Sequence, residues 1–504
     1  MAAATDKGYR QAWASWDPSP ASHPWLTTEH LHAMREQSVA AWAEARRIAE
    51  ARQGAGSPRY AFVGNLANYL FMRAVPLRKR GLGIAMYLHP LDTFALSSPG
   101  WELFDGEVEG GDFDLSALAR LGIELPHVDD VHVVAAEPAP FPVGSDGAAL
   151  DPREAVEWAT GHAFPHEEAA VRYPAYLCYL PLLEALQPYS ALLATQSPYL
   201  GYLSGRPYLT AQGGGDLWFE CSRGDRLGEL QRLAFGRSAA ILASNPWTFA
   251  HARRYGFDNV IYLPFMVDDE DYAPGPASAR ADWIERVGGS FFVLCASRLD
   301  DQYKGSALAL DGFRAFAARE PEARLVLLGW GEDLEAHQQQ LREWGLGDVV
   351  LILPMAGKRL LVEYFRSADV LLDQFSLGAY GATALEGLAC ATPVVMRLEL
   401  EQYDALVPAG APPVVNATTS NEVAAALERL AASPEERARI GRAGRDWFVA
   451  AHGSSTWADR HADILVATAA GHRFSGGPAL SRRLSRAERD YHRHGLEQAP
   501  PFPT

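Results

Sequence analysis

Cysteine is scarce in this chain. Cys178, Cys221, Cys295 and Cys390 are scattered through 504 residues with no C-x-x-C pair, which argues against a disulfide framework or a zinc cage and suits a reducing compartment. Positive charge is also short. Lys and Arg number 45 against 62 Asp and Glu, a net charge of -17, the reverse of a nucleic-acid footprint, so no nucleic-acid partner is expected. No apolar run approaches the roughly 18 residues of a spanning helix. The start, MAAATDKGYRQAWASW, lacks the apolar stretch of a signal peptide. A cytoplasmic protein is the expectation. Familiar motifs are missing too: GxxxxGK[ST], a GxGxxG after the first strand, HExxH and GxSxG. HEEAA at 166–170 has no second histidine. The acid pairs Asp129-Asp130, Asp268-Asp269 and Asp300-Asp301 sit in turn-like contexts, where neighbouring carboxylates point apart. No metal is expected.

What is present is ample apolar material, 48% of the residues, in a chain long enough for two large domains. Residues 1–57 read as a helical extension, with Thr27 or Thr28 as cap and a stop at GAGSP. RYAFVGNLANYLFMRAVPLRKRGLGIAMYLH reads strand, loop, helix, strand. Residues 99–176 are irregular and read as an insertion. Short apolar strands then resume at ALLATQ, PYLTAQ, AAILAS and NVIYLPF. A linker-like stretch, 268–282, precedes a second series: SFFVLCASRL, ARLVLLGWG, DVVLILP, DVLLDQF and TPVVM as strands, with helices between. The divisions are therefore 58–275 and 276–450, with helices at 451–504. Strand–helix alternation over two stretches predicts an α/β protein with two doubly wound parallel sheets. Ligands of such sheets bind beyond the carboxyl ends of the strands. The tail carries Arg473, Arg482, Arg483, Arg486, Arg489 and Arg493. A solvated helix face is favoured over contact with an anionic membrane surface.

Three loops of the second half stand out. In SRLDDQYKG, Arg298 and Lys304 flank a turn at a helix N-terminus, an arrangement suited to a diphosphate. In LLGWGED, Gly329 and Gly331 flank Trp330 and allow close backbone approach. In DQFSLGAYGATALEGLACATPVV, residues Gly378, Ala379, Tyr380, Gly381 and Ala382 form a bend before a helix that carries one acid, Glu386. A carboxylate there can hold a ribose diol. Asp373 ends an otherwise apolar strand, and a carboxylate in that position is unlikely to be idle.

Taken in order, these loops resemble the family 4 glycosyltransferases (glycosyl transferases group 1). The resemblance covers roughly 185–450, with echoes in RPYLTAQGGGDL, AAILASNPWTFAHARRYGF and NVIYLPFMVDDEDYAP, and a βα start at 58–90. It implies the GT-B fold, two Rossmann-like domains facing a cleft. It implies a retaining, metal-independent hexosyltransferase with a nucleotide sugar as co-substrate and no other cofactor. Its acceptor would be a small molecule, a glycan or a lipid-linked sugar. Arg298 and Lys304 match the family's cations on the donor diphosphate. Glu386 matches the second acid of its E-x7-E motif, on the ribose. The first acid, which contacts the donor sugar, is replaced by Gly378. Asp373, with Gln374 beside it, or the N–H groups of Ala379 to Ala382 are the candidate substitutes.

In the first half, Gly64, Asn65 and Asn68 after the first strand suit a phosphate or a sugar hydroxyl. Gly214, Gly215, Asp216 and Trp218 offer free backbone angles, an acceptor oxygen and a stacking face for the acceptor. Relatives often have a histidine near Gln212; His89 is a weak stand-in. Two other readings stay open. One is a GT-B nucleotide-sugar epimerase or hydrolase. The other is a non-catalytic nucleotide-sugar-binding subunit, supported by the departures at Gly378 and Gln212.

Overall fold

The computed structural model describes residues 26–52, 58–88, 95–109, 114–133, 152–162, 179–212, 214–218 and 220–475, the side chains of Pro152 and Trp218 excepted. In chain order the strands are β1 (Arg59–Val63), β2 (Gly83–Leu88), β3 (Glu107–Val108), β4 (Val131–Val133), β5 (Ala191–Ala194), β6 (Tyr208–Ala211), β7 (Ile241–Ala243) and β8 (Val260–Tyr262). They continue with β9 (Phe291–Cys295), β10 (Ala323–Leu328), β11 (Val350–Leu353), β12 (Met355–Ala356), β13 (Val370–Leu372), β14 (Val394–Met396) and β15 (Val415–Asn416). The chain divides into two units. One holds residues up to 93, 128–265 and 457 onward; the other holds 94–127 and 266–456.

The first unit is built on a seven-stranded sheet, ordered β4-β2-β1-β5-β6-β7-β8 and parallel throughout. β5 and β6 are buried along their whole length, as strands covered on both faces must be. The order reverses between β1 and β5, so the loops after these two strands flank the switch point where doubly wound sheets bind ligands.

β8 is an edge strand, and its exposed backbone is covered by the helix Thr28–Ala51. The Ser38 hydroxyl accepts from Tyr262 N at 2.8 Å, and Trp42 Nε1 donates to Tyr262 O at 3.0 Å. Capping an edge in this way removes a template for strand pairing. Thr27 caps the helix, its hydroxyl accepting from His30 N. Leu31, Met34, Ser38, Ala41, Trp42 and Ala45 are its buried face, the 3–4 spacing of an amphipathic helix. The described part of the expected extension, residues 26–52, is thus packed into the first unit.

The second unit has a six-stranded parallel sheet, ordered β11-β10-β9-β13-β14-β15. Its switch point lies between β9 and β13. The loops after those strands carry Arg298 and Lys304, and Asp373 through Gly381, respectively. Phe313, Phe316, Leu325, Leu327, Val370 and Leu372 are among the residues of the core beneath.

One segment departs from the sequence reading. Residues 94–127, which overlap the insertion of the first domain expected at 99–176, cluster with the second unit. Backbone pairing explains it. β3 pairs antiparallel with β12, Gly357 N donates to Gly106 O, and Arg359 N donates to Phe104 O. Trp101, Val108 and Leu118 close a small core with Met355. Strands of two residues leave no periodic signal in a sequence. The unit boundary at 456/457 falls inside the helix Ser454–Ala469, close to the expected 450/451. Of the arginines singled out in the tail, only Arg473 is described, paired with Asp258 at 2.7 Å. The other five, with His89 and Cys178, lie outside the described residues.

One of the paired acids has a local structural role. Asp269 caps the start of the helix Ser454–Ala469. Ser454 Oγ, Ser455 N and Ser455 Oγ donate to it at 2.7, 2.9 and 2.6 Å. Burial alone would raise this carboxyl, but the hydrogen bonds outweigh it and hold the group below its ordinary value. A depressed folded-state pKa adds stability that is complete above the unfolded value and is lost as pH falls through the folded one. Asp269→Asn should therefore flatten the acid limb of the stability–pH curve and leave the slope near neutrality unchanged, read by urea unfolding between pH 3 and pH 7.

Candidate functional site

The site in the second unit begins with β9. After Cys295 the chain turns through Arg298 and Lys304 to Gly305, whose positive φ of 67° starts the helix Ser306–Ala317. Lys304 is fixed through its backbone. Its N–H donates to Asp300 O at 2.9 Å and its carbonyl accepts from Phe375 N at 2.7 Å. Its ammonium donates to Gln374 Oε1 at 3.3 Å. It lies 3.8 Å from where a Cβ on Gly381 would stand. Arg298 pairs with Asp300 at 3.0 Å and lies over the Tyr303 ring, 5.0 Å from its centroid. Both predicted cations are thus held at the switch point. Lys304 is brought against the glycine loop, and the loop's Gly381 caps the helix Ala382–Ala389 without a side-chain hydrogen bond. The first N–H groups of that helix are left for a ligand.

Asp373 directly follows β13, and it is a buried group, 3% exposed. Ser297 Oγ donates to its Oδ1, and Oδ2 has no hydrogen-bond partner. Burial pushes the neighbouring Cys295 thiol up to about 12, with the Asp373 charge adding to the rise and Lys304 opposing it. Asp373 and Lys304 therefore share one electrostatic neighbourhood.

Glu386 is fully buried. Lys358 Nζ donates to its Oε1 at 2.5 Å, while Oε2 has no partner. Lys358 opens the helix Lys358–Ser367. A cation in a helix's first turn opposes the helix dipole, and that misfit was the available sign that Lys358 has a specific acidic partner elsewhere.

The glycines of LLGWGED make close contacts within the fold itself. Gly329 N donates to Leu353 O. A Cβ on Gly331, at φ 110°, would stand 2.4 Å from Leu299 N and O. The close approach that Gly331 allows is to the Arg298 loop itself, where Leu299 N donates to Trp330 O. Gly331→Ala should cost about 2–3 kcal/mol through overpacking and backbone strain, measured as a lowered denaturation midpoint.

Among the described residues, Asp301, Asp333 and His337 form one group with metal-ligand spacing. Its atoms already serve the loop. Ala307 N donates to Asp301 Oδ1 at 2.7 Å, His337 pairs with the same oxygen, and Asp301 N donates to Asp333 Oδ2.

In the first unit, Gly64 follows β1 at φ 80°, with the position of a Cβ 2.9 Å from Thr195 O. Asn65 and Asn68 are buried, Asn65 Nδ2 donating to Asn68 Oδ1, while Asn65 Oδ1 accepts from Phe71 N. They lock the loop. Asp216 accepts from Leu217 N at 2.8 Å and from Gln196 N at 3.3 Å. Gly214 precedes it at φ 102°, and Gly215 starts the short helix that ends at Trp218. Gln196, after β5, was not anticipated. It has a positive φ of 61°, and its Oε1 is buried, without a partner, 3.5 Å from the Gly64 Cβ position. It joins the Gly64 loop to Asp216 across the switch point. Backbone strain of this kind has no signature in a glutamine codon's neighbours.

The family model of the glycosyl transferases group 1 matches residues 282–447, the span that contains both cations, the glycine loop and Glu386. Residues 282–447 are a group 1 glycosyltransferase domain. The chain is 28% identical over 195 residues to the GDP-mannose-dependent alpha-(1-6)-phosphatidylinositol monomannoside mannosyltransferase of Mycolicibacterium smegmatis, covering 37% of this chain and 50% of that one. It is 29% identical over 144 residues to the mannosylfructose-phosphate synthase of Agrobacterium fabrum, covering 27% and 32%. The chain thus spans half or less of the length of these curated relatives.

Among solved structures, Anabaena HepE in complex with UDP and glucose matches with a TM-score of 0.55 at 16% identity, over 81% of this chain and 99% of that one. Sucrose-phosphate synthase of Thermosynechococcus elongatus matches with 0.54 at 16%, over 81% and 98%. The two parallel sheets are the GT-B fold. No helix among the described residues is long and apolar enough to cross a membrane.

Proposed function

We propose that this chain transfers a hexose from a nucleotide sugar to an acceptor hydroxyl, with retention at the anomeric carbon and without a metal ion. The observation that carries the reading is the placement of Lys304 against Gln374 and Gly381, between two helix N-termini at the switch point of the second sheet. A departing nucleoside diphosphate gains negative charge as its bond to the sugar breaks. Fixed cations and orphan N–H groups stabilise that charge without reorganising. Arg298 and Lys304 would hold the diphosphate. The free Oε2 of Glu386 would accept from a ribose hydroxyl.

In the transfer, the bond from C1 to the diphosphate oxygen breaks and a bond from C1 to the acceptor oxygen forms on the same face. The acceptor's proton passes to the departing diphosphate. One relative is a GDP-mannose-dependent enzyme and one structure of the same fold was solved with UDP-glucose, so GDP- and UDP-sugars are the first donors to try. The first unit would hold the acceptor, with Gly64, Gln196 and Asp216 at its switch point.

The test is turnover with GDP-mannose and UDP-glucose against a panel of sugar, inositol and glycolipid acceptors, in EDTA, with the product anomer assigned by NMR. An α-linked product from the α-linked donor is expected. An inverted product, or activity abolished by EDTA and restored by a divalent ion, overturns the mechanism. Donor consumed without an acceptor favours an epimerase or hydrolase instead.

A further inference from the structure

We propose that Glu399 is the acid that holds the hydroxyl groups of the transferred sugar. The inference rests on the donor-site reading above and assigns a residue to it. Glu399 follows β14, at the carboxyl end of that strand, and stands at the start of the helix Leu400–Leu406. Its side chain makes no hydrogen bond to that helix's first turn. It turns to the glycine loop instead. A Cβ on Gly378 would lie 2.9 Å from Glu399 Cγ and 3.0 Å from Oε1. The carboxylate fills the space that a side chain at 378 would need.

Two contacts fix it there. Glu399 N donates to Gly378 O at 3.0 Å. Arg397 Nη2 donates to Oε1 at 3.1 Å, while its Nη1 donates to Ser376 O at 3.1 Å. Oε2 accepts no hydrogen bond from the described residues, and the side chain is 23% exposed.

The loop has Lys304 against Gly381 at one end and Glu399 against Gly378 at the other. Three residues of chain span at most about 10 Å, so a sugar bonded to a diphosphate on Lys304 lies within reach of Glu399. A carboxylate is an acceptor only and suits vicinal hydroxyl groups. Asp373 is a poorer candidate, because the three atoms nearest a Cβ on Gly378, the position of the missing acid, all belong to Glu399.

Calorimetric titration tests this. Wild type, Glu399→Ala and Glu399→Gln are titrated with UDP, GDP, ADP and dTDP, with their glucose conjugates, and with GDP-mannose. The expected result is that Glu399→Ala weakens the nucleotide sugar that wild type binds by about 10- to 100-fold, with the matching free diphosphate unchanged within about twofold. Glu399→Gln, which keeps the shape, should weaken it less. If both variants bind sugar and diphosphate as wild type does, or lose the two equally, the assignment of Glu399 is wrong. If wild type binds the free diphosphate and none of the sugars, it is also wrong. If wild type binds none of the nine ligands, the donor-site reading itself fails, and this inference with it.

Discussion

Lys304→Ala should lower kcat/KM for the donor by about 1000-fold, some 4 kcal/mol of transition-state stabilisation. The size follows from how the residue is held. Its backbone is bonded on both sides, to Asp300 and Phe375, and its ammonium rests on Gln374 beside Gly381. A charge already in position costs nothing to organise when the diphosphate departs. Lys304→Arg should recover little, because the planar guanidinium is longer and is not a point charge. The loss should be shared between donor affinity and kcat, since Lys304 faces the bound diphosphate and the interaction grows as the leaving group gains charge. Arg298→Ala should cost less, because part of the Arg298 charge is spent on Asp300. Steady-state kinetics of the three variants, with circular dichroism to confirm folding, give the comparison.

Lys358→Met should lower stability by about 3–5 kcal/mol, the usual penalty for stranding one member of a buried ion pair. Glu386 is fully buried and Lys358 is 13% exposed, so water cannot compensate. The double variant Lys358→Met, Glu386→Leu should recover much of the loss. Losses that simply add would mean that the two charges are independent in solution. The measurement is guanidinium unfolding of the four forms of this cycle. The same pair bears on function, because removing Lys358 alone would leave Glu386 misplaced for a ribose.

Much of this was legible in the sequence because parallel sheets write themselves plainly. SFFVLC, RLVLLG and DVLLD are short apolar runs between helical patterns, and they became β9, β10 and β13 within a residue or two. The switch-point rule then pointed to Arg298, Lys304 and the glycine loop. The residues that were missed are those whose partners are remote. Lys358 meets Glu386 across 28 positions. Glu399 reaches Gly378 from the far side of a strand, and β3 meets β12 from an irregular segment. Such pairings are set by tertiary packing, and local periodicity carries no trace of them. Gly331 shows the converse. Its conformational freedom was legible, but what it allows the chain to approach was not, because Leu299 is 32 positions earlier.

The most direct test of the account is thermal unfolding of the wild-type chain with and without UDP-, GDP-, ADP- and dTDP-sugars, repeated on Lys304→Ala. A donor at 100 times its dissociation constant should stabilise the wild type by about 2.7 kcal/mol, and that gain should fall to less than half in the variant at the same concentration. If none of these sugars raises the unfolding temperature, or if Lys304→Ala is stabilised as much as the wild type, then the loop at the second switch point is not a nucleotide-sugar site.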